Sequence, residues 1–224
     1  DMEQVPMSFV EKYYVDDLSE RDKPETKWYL PFLKNIKGKK ILSLGCGPNL
    51  YDDATFFGQI PKELVGIDLN KNNIEFLKKS KHLELIKYKN FLLKNNIKTK
   101  LIVGDILEAR EKFTDYFDSI YAMGVIGMFK EKQLKNLLKV IYKYLKPKGI
   151  FLDIDWTENQ LADDKYKERQ SYGWYSEQGN NIKRVGELMK NSGFKILKHE
   201  IYDVPNKKEY GWGKIYVYLI QKIN

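Results

Sequence analysis

Short apolar runs rich in Ile, Leu and Val alternate with amphipathic stretches along most of this chain, and no other feature constrains the fold as much. A strand buried on both faces reads as a continuous apolar run, and a covering helix shows apolar residues at three- and four-residue spacing. Residues 40–44, 63–67, 100–103, 117–121 and 149–154 read as such strands, each bounded by Gly, Asp or Asn. Residues 71–79, 82–95 and 131–145 carry helical spacing, and the last ends in the stop signal Lys146-Pro147-Lys148-Gly149. After Trp156 a polar, aromatic-rich stretch reaches about Gly179; residues 182–192 then read as a helix and residues 194–199 and 214–221 as two final strands. With no long helix between them, those two strands pair antiparallel.

The expected class is therefore α/β: a doubly wound, mostly parallel seven-stranded Rossmann-like sheet with an antiparallel C-terminal hairpin. Residues 1–37, with Phe9, Val10, Tyr13, Tyr14, Trp28, Tyr29 and Phe32, read as an N-terminal helical cap over the strand C-terminal ends. Residues 38–224 form the core, and the whole of 1–224 reads as one domain, without repeat or low-complexity linker. A chain of 224 residues is long enough to bury roughly 70% of its unfolded surface. The single cysteine, Cys46, excludes an internal disulfide and any all-cysteine metal site, which fits a reducing cytoplasm. No signal peptide, membrane span or membrane partner is expected. The formal charge of +8 allows a nucleic-acid partner but does not favour one, because only Arg21, Arg110, Arg169 and Arg184 supply guanidinium groups.

The first strand runs into Leu44-Gly45-Cys46-Gly47-Pro48-Asn49, a tight turn whose two glycines let backbone N–H groups approach a ligand. A dinucleotide fingerprint needs a third glycine where this chain has Leu50, so a nicotinamide cofactor is disfavoured. Asp68 ends the second strand, placed to accept hydrogen bonds from both hydroxyls of a ribose. Asp105 follows the third strand, placed to accept from an adenine amino group, with Ile106 against the ring. Each aspartate alone reads equally well as a helix cap or turn residue. Together, in chain order, they point to adenosine joined to something other than a pyrophosphate.

These features resemble the class I S-adenosylmethionine-dependent methyltransferases over residues 39–221. In many members the first motif is acidic-x-Gly-x-Gly-x-Gly; here Ser43 and Asn49 replace its outer positions. The resemblance implies S-adenosyl-L-methionine as cofactor and S-adenosyl-L-homocysteine as product, held by Gly45, Cys46, Gly47, Asp68, Leu69, Asp105, Ile106 and Met123. Glu11-Lys12-Tyr13-Tyr14 and Gly45 to Tyr51 are similar to the nicotinamide, phenylethanolamine and indolethylamine N-methyltransferases. That likeness implies Tyr14 and Tyr51 on the methionine carboxylate and Asn73 at the ribose.

Methyl transfer is an in-line displacement, so such an enzyme mainly positions an unprotonated nucleophile and excludes water. Asp155, at the exit of the fifth strand beside the expected methyl group, is the best-placed candidate, and the amine-methyltransferase likeness implies a substrate-facing carboxylate there, with Tyr14 beside the reacting groups; a helix-capping or solvent-facing role for Asp155 is nearly as good a reading. Trp156, Tyr172, Trp174 and Tyr175 suggest an aromatic lid, or the core of an inserted hairpin, and Val125, Ile126, Met128 and Phe129 an apolar wall. The fourth strand ends without a carboxylate, so no metal site is expected, and His82 and His199 are poorly placed as bases. The reading is methyl transfer to a small organic acceptor, an amine nitrogen. An RNA or protein methyltransferase, a catalytically silent cofactor-binding subunit and aminopropyl-type transfer are the alternatives.

Overall fold

A computed structural model describes residues 5–21, 30–158, 182–203 and 212–223. In chain order the elements are α1 (Met7–Arg21), α2 (Leu30–Leu33), β1 (Lys40–Leu44), a 3-10 turn (Gly47–Asn49), α3 (Leu50–Asp53), β2 (Glu63–Asp68), α4 (Lys71–Lys79), α5 (Leu83–Lys94), β3 (Lys98–Val103), β4 (Phe117–Met123), α6 (Glu131–Tyr144), β5 (Leu145–Glu158), α7 (Ile182–Asn191), β6 (Phe194–Asp203) and β7 (Trp212–Lys222). The strands form one seven-stranded sheet in the order β3-β2-β1-β4-β5-β7-β6. The first five pair in parallel, and β7 runs antiparallel to both β5 and β6. Strand order reverses between β1 and β4, and open α/β sheets bind ligands in the crevice above such a reversal.

Apolar residues alternate between the sheet's two faces because successive side chains point oppositely along a strand. Ile41 joins the core layer beneath α1 to α5, whereas Leu42 and Leu44 join the layer beneath α6 and α7. On α6, Leu134, Leu137, Leu138 and Ile141 make the buried stripe that its three- and four-residue spacing requires.

β5 is longer than its apolar run. It pairs from Leu145, before Pro147, and a register shift lies between Phe117 and Ser119 of the adjoining β4. Its far end continues past Asp153 and Asp155 to Glu158, since both aspartates are buried and paired in register with β7. β6 runs on to Asp203 because an edge strand tolerates the exposed polar residues that hid it in the sequence.

α1 lies along α4: the Asn72 side chain donates to the Val5 carbonyl just before α1 at 2.7 Å, and Tyr14, midway along α1, packs its ring on Phe76. α1 also touches the Gly47–Asn49 turn above β1. Trp28, Tyr29, Tyr172, Trp174 and Tyr175 lie outside the described residues, and of Trp156 only the backbone, opposite Ile215, is described.

Candidate active site

The site is assembled at the tops of β1, β2 and β4. Gly45 and Gly47 both adopt positive φ, +59° and +53°, which glycine tolerates without steric cost. They do so for different reasons. A Cβ on Gly45 would meet Val125 Cγ2 at 2.7 Å, so this glycine lets the loop after β4 close onto the turn. A Cβ on Gly47 would meet nothing within 4 Å, so its bare backbone faces open space above the sheet.

Asp68 anchors that turn. One carboxylate oxygen accepts the Gly47 N–H and the other the Asn70 N–H, each at 2.8 Å. Burial pushes its pKa up, and these N–H groups and the Asn73 side chain oppose that shift. Asn73 is buried beside it, and its Oδ1 has no hydrogen-bond partner among the described residues. Spare carboxylate lone pairs and an orphaned amide oxygen together offer acceptors only, which suits a ligand presenting two hydroxyl donors. Gly104 N–H donates to the Asp68 carbonyl at 2.9 Å, joining the tops of β2 and β3.

Asp105 accepts the Leu107 N–H at 2.8 Å in a local turn, and Arg110 donates to the Asp105 carbonyl at 3.2 Å. Leu69 is 38% exposed immediately after Asp68, while Ile106 is buried. This leaves an apolar side chain and a carboxylate at neighbouring strand ends, where a flat base would lie. Cys46 contributes its backbone: its N–H donates to the Ile67 carbonyl at 3.0 Å, and its sulfur packs on Gly66. Burial, helped by the charges of Asp68 and Asp53, holds the thiol well above its usual range, so it stays protonated. Met123 is half-buried at the end of β4, whose next residue, Gly124, donates to the Ile154 carbonyl at 2.8 Å.

The two tyrosines singled out by the amine-methyltransferase likeness are both buried. Tyr51 is buried under the turn with its hydroxyl hydrogen-bonded to Thr99, and burial pushes its pKa up to about 12. Thr99 pairs with Leu64, four residues below Asp68, so the hydroxyl is directed about 13 Å down the sheet from the ribose acceptors. Tyr14 is fully buried, its ring 4.9 Å from Phe76 and 5.5 Å from His82. For both, the apolar body of the ring wins: burying it in the core contributes on the order of 2 kcal/mol, more than an exposed hydroxyl contact would.

On the other side of the crevice, Asp155 is buried and accepts the Gly127 N–H at 2.5 Å, which pins the loop after β4 against β5. That loop is a 3-10 turn over Ile126–Met128. Of the expected apolar wall, Val125 packs on Gly45 and Ile126 turns into the core. Three further buried acids or phenols lie nearby, and of these sequence reasoning missed Asp53 and Tyr216. Asp53 accepts from the Tyr121 hydroxyl at 3.2 Å beneath the turn. Tyr216 faces Asp155 across β5 and β7. Asp153, opposite Tyr218, has no hydrogen-bond partner for either oxygen among the described residues. The only sequence signal for Asp53 was its place four residues after the glycine turn, next to Asp52.

The strand order and the acid-anchored glycine turn define the fold of the class I S-adenosylmethionine-dependent methyltransferases. A family model described as a methyltransferase domain matches residues 19–199, and the chain belongs to that family. It is similar to sterol 24-C-methyltransferases: 26% identical over 188 residues to that of Aspergillus fumigatus, covering 77% of this chain and 44% of the relative. The Saccharomyces cerevisiae enzyme is 25% identical over 183 residues, 77% of this chain and 43% of the relative. The chain thus spans about half the length of these relatives. Among solved structures, Haemonchus contortus phosphoethanolamine N-methyltransferase 2, with phosphomonomethylethanolamine and S-adenosylhomocysteine, aligns with a TM-score of 0.58 at 16% identity over 89% of this chain and 53% of that one. A Haloferax volcanii methyltransferase solved with the Trm112 activator aligns at 0.65 and 13% identity, over 100% of both chains.

Proposed function

We propose that this chain binds S-adenosyl-L-methionine above β1 and β2 and transfers its methyl group to a small organic acceptor, an amine nitrogen. The observation that carries the reading is the acceptor-only pair at the ribose position: Asp68, held by the Gly47 and Asn70 N–H groups, and the orphaned Oδ1 of Asn73, beside open space over Gly47. When bound, the cofactor supplies a sulfonium methyl group that needs only an aligned nucleophile. Asp68 and Asn73 hold the ribose, Leu69 and Asp105 flank the base, and the Gly47 backbone lets the ligand approach closely. Asp155 is supported as the residue that orients the acceptor: it lies near the upper end of β5 against the loop after β4, and its fixed carboxylate favours a cationic or hydrogen-bond-donating amine. The buried Asp53, Asp68 and Asp155 around the turn also suit a cationic donor.

A second reading is methylation of a sterol carbon, favoured by the 25–26% identity to sterol 24-C-methyltransferases over 77% of the chain. Calorimetric titration with S-adenosylmethionine and S-adenosylhomocysteine, repeated on Asp68→Ala, tests the cofactor site. Binding that weakens about 30-fold or more in the variant supports it; no binding to the folded wild type refutes it. A turnover screen with phosphoethanolamine-type amines, a sterol and RNA then separates the acceptors. Cofactor binding without turnover on any of them identifies a silent or partner-activated subunit.

A further inference from the structure

The chain's positive charge is concentrated beside one exposed helix. Residues 75–94, from α4 through α5, hold six lysines against two acids, Glu75 and Glu84, which pair with Lys79 and Lys87, leaving a net charge of +4 there, half of the chain's +8. On α5, Leu83 is 81% exposed, Leu93 72% and Ile86 38%. At 100° per residue these three fall within an arc of about 80° and along about 15 Å of helix. Lys87 and Lys94 border that stripe on one side. On the other, Lys89 reaches across to the carbonyls of Lys78 and Ser80, at 3.2 and 3.3 Å, which brings the end of α4 with Lys78, Lys79 and Lys81 alongside. The inward face, with Leu85 and Leu92, is already buried in the core, so the outer leucines serve no packing within the described chain.

We infer that this lysine-rimmed leucine stripe is a docking surface for an anionic lipid bilayer. An apolar stripe between cationic flanks is the arrangement by which a helix lies in the headgroup region: leucines enter the acyl boundary while lysines meet lipid phosphates and carboxylates. A second copy of the chain is a poor occupant, because a symmetric contact would bring two such basic flanks together. RNA is also a poor match, since the nearby rings of Tyr88 and Phe91 pack against the core instead of standing out to stack on bases. Among the described residues no helix is long and apolar enough to cross a membrane, so the contact is peripheral. The lack of a long apolar run in the sequence pointed away from a membrane partner; the placement of these residues points to one.

The test is co-sedimentation of the chain with vesicles of phosphatidylcholine alone and of two parts phosphatidylcholine to one part phosphatidylserine. The wild type is expected to partition onto the anionic vesicles only, less so as salt rises. Leu83→Ser with Leu93→Ser should lower that partition roughly tenfold per leucine, and Lys87→Glu with Lys94→Glu should also lower it, with thermal midpoint and cofactor affinity unchanged in both pairs. Absence of binding to anionic vesicles, or binding indifferent to the leucine changes, overturns the inference. So does tight binding of a structured RNA by both wild type and leucine variant with no vesicle binding.

Discussion

Replacing Asp153 by Asn should stabilise this protein, increasingly so as pH rises. Asp153 sits in mid-sheet, between Ala122 of β4 and Tyr218 of β7, with no exposed surface and no hydrogen-bond partner among the described residues. Burial, with the charge of Asp155 on the same face, pushes its pKa well above the ordinary carboxylate value. In the unfolded chain it ionises near pH 3.9. Above that pH the unfolded state has lost a proton that the folded state keeps, so folding takes up a proton and stability falls with rising pH until the folded carboxyl itself ionises. The contribution is fully present below about pH 4 and is lost at about 1.4 kcal/mol per pH unit above it. Each such unit is a sizeable part of a marginal total of about 5–15 kcal/mol. Asn matches the shape and never ionises. Its amide, equally unpartnered, costs on the order of 1–2 kcal/mol at every pH, which offsets the gain without changing its slope. Urea denaturation of wild type and Asp153→Asn at about pH 4.5, 6 and 7.5 measures the difference. An advantage for Asn that grows with pH is expected. A difference flat in pH, or one that moves against Asn as pH rises, would refute a neutral buried Asp153.

Three further outcomes follow from the turn and its neighbours. Gly47→Ala has room for its methyl group but must hold φ near +53°, so it should cost about 1–2 kcal/mol in urea denaturation while abolishing cofactor binding in calorimetry. Cys46, buried with its thiol pushed up, should resist a soluble thiol reagent in the native state and react at once in denaturant; rapid native labelling would show the turn to be open. Asp155→Asn should keep cofactor affinity within about threefold yet lower turnover on an amine by about 10²-fold or more, and a variant with unchanged kcat would remove Asp155 from the reaction.

The sequence by itself determined the order and type of the main elements, because a strand buried on both faces and a helix buried on one leave different periods in the apolar residues. Helix 71–79 and strand 40–44 are found at their read boundaries for that reason. It also determined the turn and its partner acid, since a positive-φ glycine and a carboxylate at a strand end are local necessities: Gly47 and Asp68 meet at 2.8 Å. Which tyrosines stay buried was decided only by tertiary structure. Tyr14 and Tyr51 follow the motif in sequence, yet the space beneath the turn and alongside α4 takes both rings, and a sequence does not record which cavity needs filling. The same holds for the burial of Asp153, Asp155 and Tyr216, which no local pattern in the sequence announces. The antiparallel return of β7 over β5, set by the long-range packing of the last two strands, is what removes them from water.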